Sequence, residues 1–244
     1  MTITKSIAIV CEGVIGGVLA ALTNGITINT AATDIVYLRG LDIEGATSGL
    51  TGVRFIGAGI LHVENCLVRG FNGGAATAIS FTPTGASELY VWDTTLADSG
   101  TGVTGGGIVI KPTGAANVNA VLSNVQVQNN IVGIQADETA GTGTINLSVV
   151  DSVSSGNTGP GIVAVTTPAH GSAILMLDRV TVSTNAAGVR ADGATSVIRI
   201  GNSMIFRNAT GVLSVNSGLL QSYQTNQING NTVDGTPITA IGLN

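Results

Sequence analysis

The chain has 244 residues, enough for one domain or one elongated repeat array, and a formal net charge of −5 from 9 basic and 14 acidic residues. Only 9% of the residues are charged while 44% are hydrophobic, the reverse of the balance that keeps a chain disordered. The basic residues (Lys5, Arg39, Arg54, Arg69, Lys111, Arg179, Arg190, Arg199 and Arg207) are scattered and form no run that could neutralise a row of phosphates, so no nucleic-acid partner is expected.

At the start of the chain Lys5 precedes an apolar stretch, residues 6–22, with the outline of a short signal peptide. Glu12 and the Gly16-Gly17 pair interrupt it, and it is too short and polar to span a bilayer. It also fits the repeat described next, so it is read as the first coil, and no membrane partner is expected. Cys11 and Cys66 fall two coils apart, roughly 9–10 Å from the inter-strand spacing. That is beyond disulfide reach. Both are expected to be small buried hydrophobes, which leaves the compartment open.

The repeat is clearest at residues 122–134, 177–189 and 200–212. Each copy runs aliphatic, any residue, a polar turn residue, a short alternating strand, Asn, then Gly and an aliphatic. Counting the turn residue as position zero gives Cys11, Gly40, Asn65, Asp93, Asn124, Asp151, Arg179, Asn202 and Thr225. From Gly40 to Asn202 the steps are 25, 28, 31, 27, 28 and 23 residues, each the length of one three-stranded coil. Two positions earlier stands an inward aliphatic (Leu38, Val63, Val91, Leu122, Val149, Leu177, Ile200). Three positions later stands another (Ile43, Val68, Leu96, Val127, Val182, Ile205), with Ser154 interrupting the column in the sixth coil. One coil alone cannot bury such residues, but stacked coils join them into a continuous core. The pattern predicts an all-β chain: a single-stranded right-handed parallel β-helix of about nine coils with three short parallel sheets, one domain over residues 1–244.

Asn130, Asn157, Asn185, Asn208 and Asn231 precede the next strand at one and the same corner. Asn tolerates the tight-turn backbone, and stacked amides can bond along the column, so these residues are read as a structural ladder. This strand–Asn turn–Gly–aliphatic pattern resembles the pectin-lyase-like right-handed β-helix superfamily across essentially the whole chain. More narrowly, residues 1–28 and 221–231 resemble bacterial β-helix repeat proteins, a group that implies a fold and no established activity. The superfamily includes polysaccharide lyases, glycosidases and phage tailspikes, so fold alone does not choose a function.

An inverting glycosidase needs paired carboxylates on adjacent coils, and Asp42 and Glu44, followed one coil later by Arg69, come nearest. The superfamily's paired-Asp and Arg-x-Lys signatures are absent, and His170-Gly171 lies in a loop with no carboxylate expected in its register. A lyase needs an acidic calcium cluster and a basic residue. Asp137-Glu138, in a Gly/Thr-rich stretch, reads instead as a solvated turn. Thr2, Thr4 and Thr181 fall in unrelated registers, which excludes an ice-binding Thr array. No HExxH, GxSxG, P-loop or CxxC occurs. No catalytic residue, metal or cofactor is therefore expected.

One outward feature stands out. Tyr37, His62 and Tyr90 lie three positions before the turn on consecutive coils, and Arg39, Glu64 and Trp92 lie one position before it on the same face. Such a patch suits the apolar faces of sugars, with Arg39 and Glu64 bonding hydroxyls. It equally suits a protein interface, or packing beneath the loops at residues 71–87 or 98–106. Residues 232–244, with Pro237, are expected to fold as a C-terminal cap. With no capping helix at the other end, a homo-oligomer is expected. The sequence supports a non-catalytic structural or interaction module with a glycan or protein partner. The alternatives are a carbohydrate-active enzyme with an unfamiliar site and a fragment of a surface adhesin or tailspike-like protein.

Overall fold

A computed structural model describes residues 1–14, 16–102, 105–236 and 238–242, and all regular structure among them is β. Each of the first nine coils contributes one strand to each of three sheets, a last partial coil adds to two of them, and the strands pair in parallel with their counterparts in neighbouring coils. The first sheet runs from Thr2–Ile3 to Val233–Gly235, the second from Ile7–Val10 to Thr239–Ala240, and the third from Gly16–Leu19 to Gln227–Ile228. The result is a β-solenoid of about nine turns. Ile7–Val10 and Gly16–Leu19 take their place in its first turn, pairing with Val36–Arg39 and Leu41–Glu44.

The solenoid forms because alternate positions of each short strand are aliphatic and only stacking removes them from water. Leu38, Val63, Val91, Leu122, Val149, Leu177 and Ile200 are all fully buried, as are Ile43, Val68, Leu96, Val127, Val182 and Ile205. Ser154 does not shift the register, since it pairs with Val127 on one side and Val182 on the other. Its buried hydroxyl donates to Gly161 O at 2.8 Å and accepts from Asn157 Nδ2 at 3.1 Å, so the polar atom is satisfied where an aliphatic would stand. The first sheet adds a column that tapers from Phe55 and Phe81, whose rings stack at 4.5 Å, to Ala136, Ala164 and Ala191.

The corner between the second and third sheets turns on one left-handed residue per coil. Asn65, Asp93, Asn124, Asp151, Arg179 and Asn202 have φ between 48° and 53°, a region that Asn and Asp enter most readily. In the ninth coil Gln224, with φ 65°, makes this turn in place of Thr225. Arg179 is the exception in chemistry, and its guanidinium reaches back to Asp151, the turn residue one coil earlier, at 2.6 and 3.0 Å.

The next corner holds the Asn column. The amide N–H groups of Asn130, Asn157, Asn185 and Asn208 each donate at 3.0 Å to the Oδ1 of the Asn one coil further on. Ser99 and Phe71 extend the ladder upward, Ser99 N–H donating to Asn130 Oδ1 and Phe71 N–H to Ser99 Oγ. The Gly that follows each Asn is explained by this packing. A Cβ on Gly161 would stand 2.7 Å from Asn185 Nδ2, and one on Gly188 would stand 3.0 Å from Asn208 Nδ2.

Within the stretch expected to close the C-terminal end, two short strands add to the sheets. Val233–Gly235 pairs with Thr210–Val215 and Thr239–Ala240 with Leu219–Ser222. Parallel pairing satisfies main-chain groups of the previous strands. Pro237, Leu243 and Asn244 lie outside the described residues.

Candidate binding surface

The outer face of the second sheet carries the aromatic patch. Strands Ile35–Arg39, Gly59–Glu64 and Ser87–Trp92 are in register, with Tyr37 opposite His62 opposite Tyr90, and Arg39 opposite Glu64 opposite Trp92. Alternation along the strand turns both rows outward while Leu38, Val63 and Val91 point into the core. The Tyr37 and His62 rings stack at 4.2 Å and 14°, and His62 and Tyr90 at 4.8 Å and 16°. Trp92 meets the stack obliquely, 6.0 Å from both His62 and Tyr90.

Among the described residues, the loops that were candidates to cover these rings leave Tyr37 and Trp92 open. Phe71 is buried in the Asn corner, bonded to Ser99, and Tyr37 and Trp92 remain 39% and 38% exposed. The register partners at the two ends of the patch are small: Ala8 beside Tyr37 and Ser123 beside Trp92. One face of the Tyr37 ring is therefore free of aromatic packing, as is one side of Trp92.

Charges frame the rings. Arg39 Nε lies 3.4 Å from Glu12 and its Nη1 4.0 Å from Glu64, whose other oxygen is 3.8 Å from His62 Nδ1. Burial between the two tyrosines holds the imidazole pKa below its ordinary value, although Glu64 and Glu88 pull the other way. The Tyr90 hydroxyl donates to Glu88 at 2.8 Å, which raises the phenol's pKa.

At Arg39 the patch opens into a groove of about 760 Å³ that follows the left-handed corner. Glu12, Asp42, Asn65, Asp93 and Thr95 line it with polar groups, and Cys11 and Leu67 add apolar surface. Each of its carboxylates is engaged: Glu12 by Arg39, Asp42 by Arg69 and Asp93 by the Asn124 amide at 2.7 Å. The groove escaped sequence reasoning because its walls are turn residues, whose role in the backbone hides their exposed side chains. Cys66 is buried as expected, whereas Cys11, a turn residue, is only half-buried, and both thiols are free.

The carboxylate pair considered for glycoside hydrolysis is held as an ion triad, Arg69 reaching Asp42 at 3.1 Å and Glu44 more closely. Two expectations need correction. Asp137 and Glu138 are not a solvated turn: they end the strand Val132–Glu138, Asp137 is nearly buried and Glu138 wholly so. His170 is not remote from carboxylates, because its Nδ1 lies 3.1 Å from Gly141 O and Gly141 packs against Glu138 Oε1. The Asn residues stand at a corner and the aromatic residues on the face of the second sheet, so the two groups, read from one repeat, do not meet.

Comparison with protein-family models, curated proteins and solved structures finds no match to this chain. The class that can be stated is a three-sheet parallel β-solenoid with an aromatic surface patch.

Proposed function

We propose that this protein is a non-catalytic interaction module that binds carbohydrate through the Tyr37–Trp92 patch and the adjoining groove. One observation carries the reading: a stacked Tyr37–His62–Tyr90 column and an oblique Trp92, with Tyr37 and Trp92 exposed, beside Arg39 and Glu64 and opening into a polar groove. Aromatic faces accept the C–H faces of sugar rings, while charged and amide groups at the rim bond their hydroxyls. The polar lining of the groove favours a saccharide over an apolar protein surface. Pairing of Glu12, Asp42 and Asp93 with neighbouring groups favours binding over turnover, because a general acid or base must be free to exchange a proton with substrate. The three parallel sheets and the Asn corner support the pectin-lyase-like reading, in which carbohydrate chemistry and carbohydrate recognition both occur.

A glycan array probed with the wild type and with Trp92→Ala and Tyr37→Ala tests this. Binding by the wild type that both substitutions abolish is the expected outcome. Binding that neither substitution reduces would refute the patch, and formation of reducing ends or unsaturated products from any bound polysaccharide would replace the module with an enzyme.

A further inference from the structure

The aromatic patch and its groove gather most of the molecule's excess negative charge. Glu12, Glu64, Glu88 and Asp93 frame them, with Arg39 as the cation they surround. That guanidinium is divided between two carboxylates, 3.4 Å from Glu12 and 4.0 Å from Glu64. Glu88 and Asp93 are held by uncharged donors, the Tyr90 hydroxyl at 2.8 Å and the Asn124 amide at 2.7 Å. Such bonds satisfy an oxygen and leave its charge in place. At the groove wall Asp42 and Glu44 share Arg69, which leaves one further negative charge. Burial lowers the His62 pKa, so the imidazole brings no positive charge at neutral pH. Six carboxylates thus face two guanidinium groups, an excess of four in a chain whose net charge is −5.

This charge sorts saccharides. An acidic sugar meets no free cation at this surface among the described residues, because Arg39 and Arg69 are both bound to carboxylates, and it approaches against the field. An amino sugar approaches with the field. Its ammonium group also suits the rings, since a cation is drawn to the face of Trp or Tyr. Tyr37 keeps one ring face free of aromatic packing beside Ala8, and Trp92 one side beside Ser123.

We propose that the ligand of this surface is a saccharide bearing free amino groups. The assignment rests on the carbohydrate reading of the patch and narrows it to basic sugars. Screening over about 8 Å at physiological salt confines the effect to carboxylates beside the ligand. The gain over an N-acetylated sugar of equal length is therefore about three- to tenfold in affinity.

Titration calorimetry at pH 6 with glucosamine, N-acetylglucosamine and galacturonate oligomers of equal length tests the assignment. At low salt the free-amine oligomer should bind about three- to tenfold more tightly than the acetylated one, and the galacturonate most weakly. In 1 M sodium chloride the first two should agree within about twofold. Glu88→Gln and Asp93→Asn keep an acceptor for Tyr90 and Asn124 and remove the charge, so the ratio of free-amine to acetylated affinity should fall in both. Equal low-salt affinities for these two oligomers, both lost in Trp92→Ala, would overturn the amino-sugar assignment and leave the patch standing. Tightest binding of the galacturonate would overturn it as well. Binding of none of the three would overturn the assignment, and a glycan array without any bound saccharide would take the patch reading with it.

Discussion

Replacing Asn185 with Ala removes the middle of the Asn ladder. Asn185 Oδ1 accepts from the Asn157 amide N–H at 3.0 Å and from Asn157 Nδ2 at 2.8 Å, and its own Nδ2 donates to Ser154 O at 3.1 Å and Asn208 Oδ1 at 3.0 Å. After the substitution Asn157 Nδ2 keeps Ser154 Oγ as acceptor, but the Asn157 N–H has none. Orphaning one buried amide costs about 1–3 kcal/mol, and the other lost bonds about 1 kcal/mol each. Allowing for partial relaxation, Asn185→Ala should cost about 3–5 kcal/mol. Asn231→Ala, at a half-buried rung that water can reach, should cost about 1 kcal/mol or less. Urea unfolding followed by circular dichroism measures the difference, and hydrogen exchange reads the Asn157 amide itself, which should lose its protection first. An Asn185→Ala protein within about 1 kcal/mol of the wild type, with that amide still protected, would refute the ladder as a stabilising element.

Three further outcomes follow from buried polar groups. Ser154→Val restores an unbroken aliphatic column but strips Gly161 O and Asn157 Nδ2 of a partner, so urea unfolding should show a loss of about 1–2 kcal/mol and not a gain. Burial pushes the Glu138 carboxyl from its ordinary 4.5 up to about 7, with Asp137 adding to the effect and the Gly143 amide and His170 opposing it. The folded protein then holds a proton that the unfolded chain has released, so stability falls as pH rises from about 4.5 to 7 and levels off above. The loss is at most about 3 kcal/mol, and about 1–2 kcal/mol with solvent screening, and Glu138→Gln should flatten the difference between pH 5 and pH 8. His62 runs in the opposite sense. Its lowered pKa means that stability present above 6.5 declines as the unfolded imidazole takes up a proton below it, and an NMR titration should find the ring neutral at pH 7.

Much of the fold was legible because each coil repeats the same physical demand. Leu122 and Leu177, or Asn157 and Asn185, sit at equivalent steps of the chain and meet the same neighbours one coil apart, so spacing alone places them. The aromatic patch was legible for the same reason, since Tyr37, His62 and Tyr90 share a register. Features that depend on a single coil were not. Ser154 looked like a register fault because a serine in an aliphatic column is explained only by Gly161 O and Asn157. Glu138 looked solvated because Gly and Thr surround it in sequence, while its burial comes from neighbouring coils. The two short C-terminal strands, poor in aliphatics, were not legible because main-chain pairing alone extends the sheets there. The groove at Arg39 arises where turn residues from several coils line up, and no single repeat displays it.

The central functional claim is that the Tyr37–Trp92 patch recognises a saccharide. Titration calorimetry with the strongest array ligand, on the wild type and on Trp92→Ala, tests it most directly. The account predicts saturable one-site binding by the wild type and at least a tenfold loss on removing the indole, about 1.4 kcal/mol, with the unfolding midpoint unchanged. Equal affinity of the two proteins, or no saccharide bound by either, would contradict it.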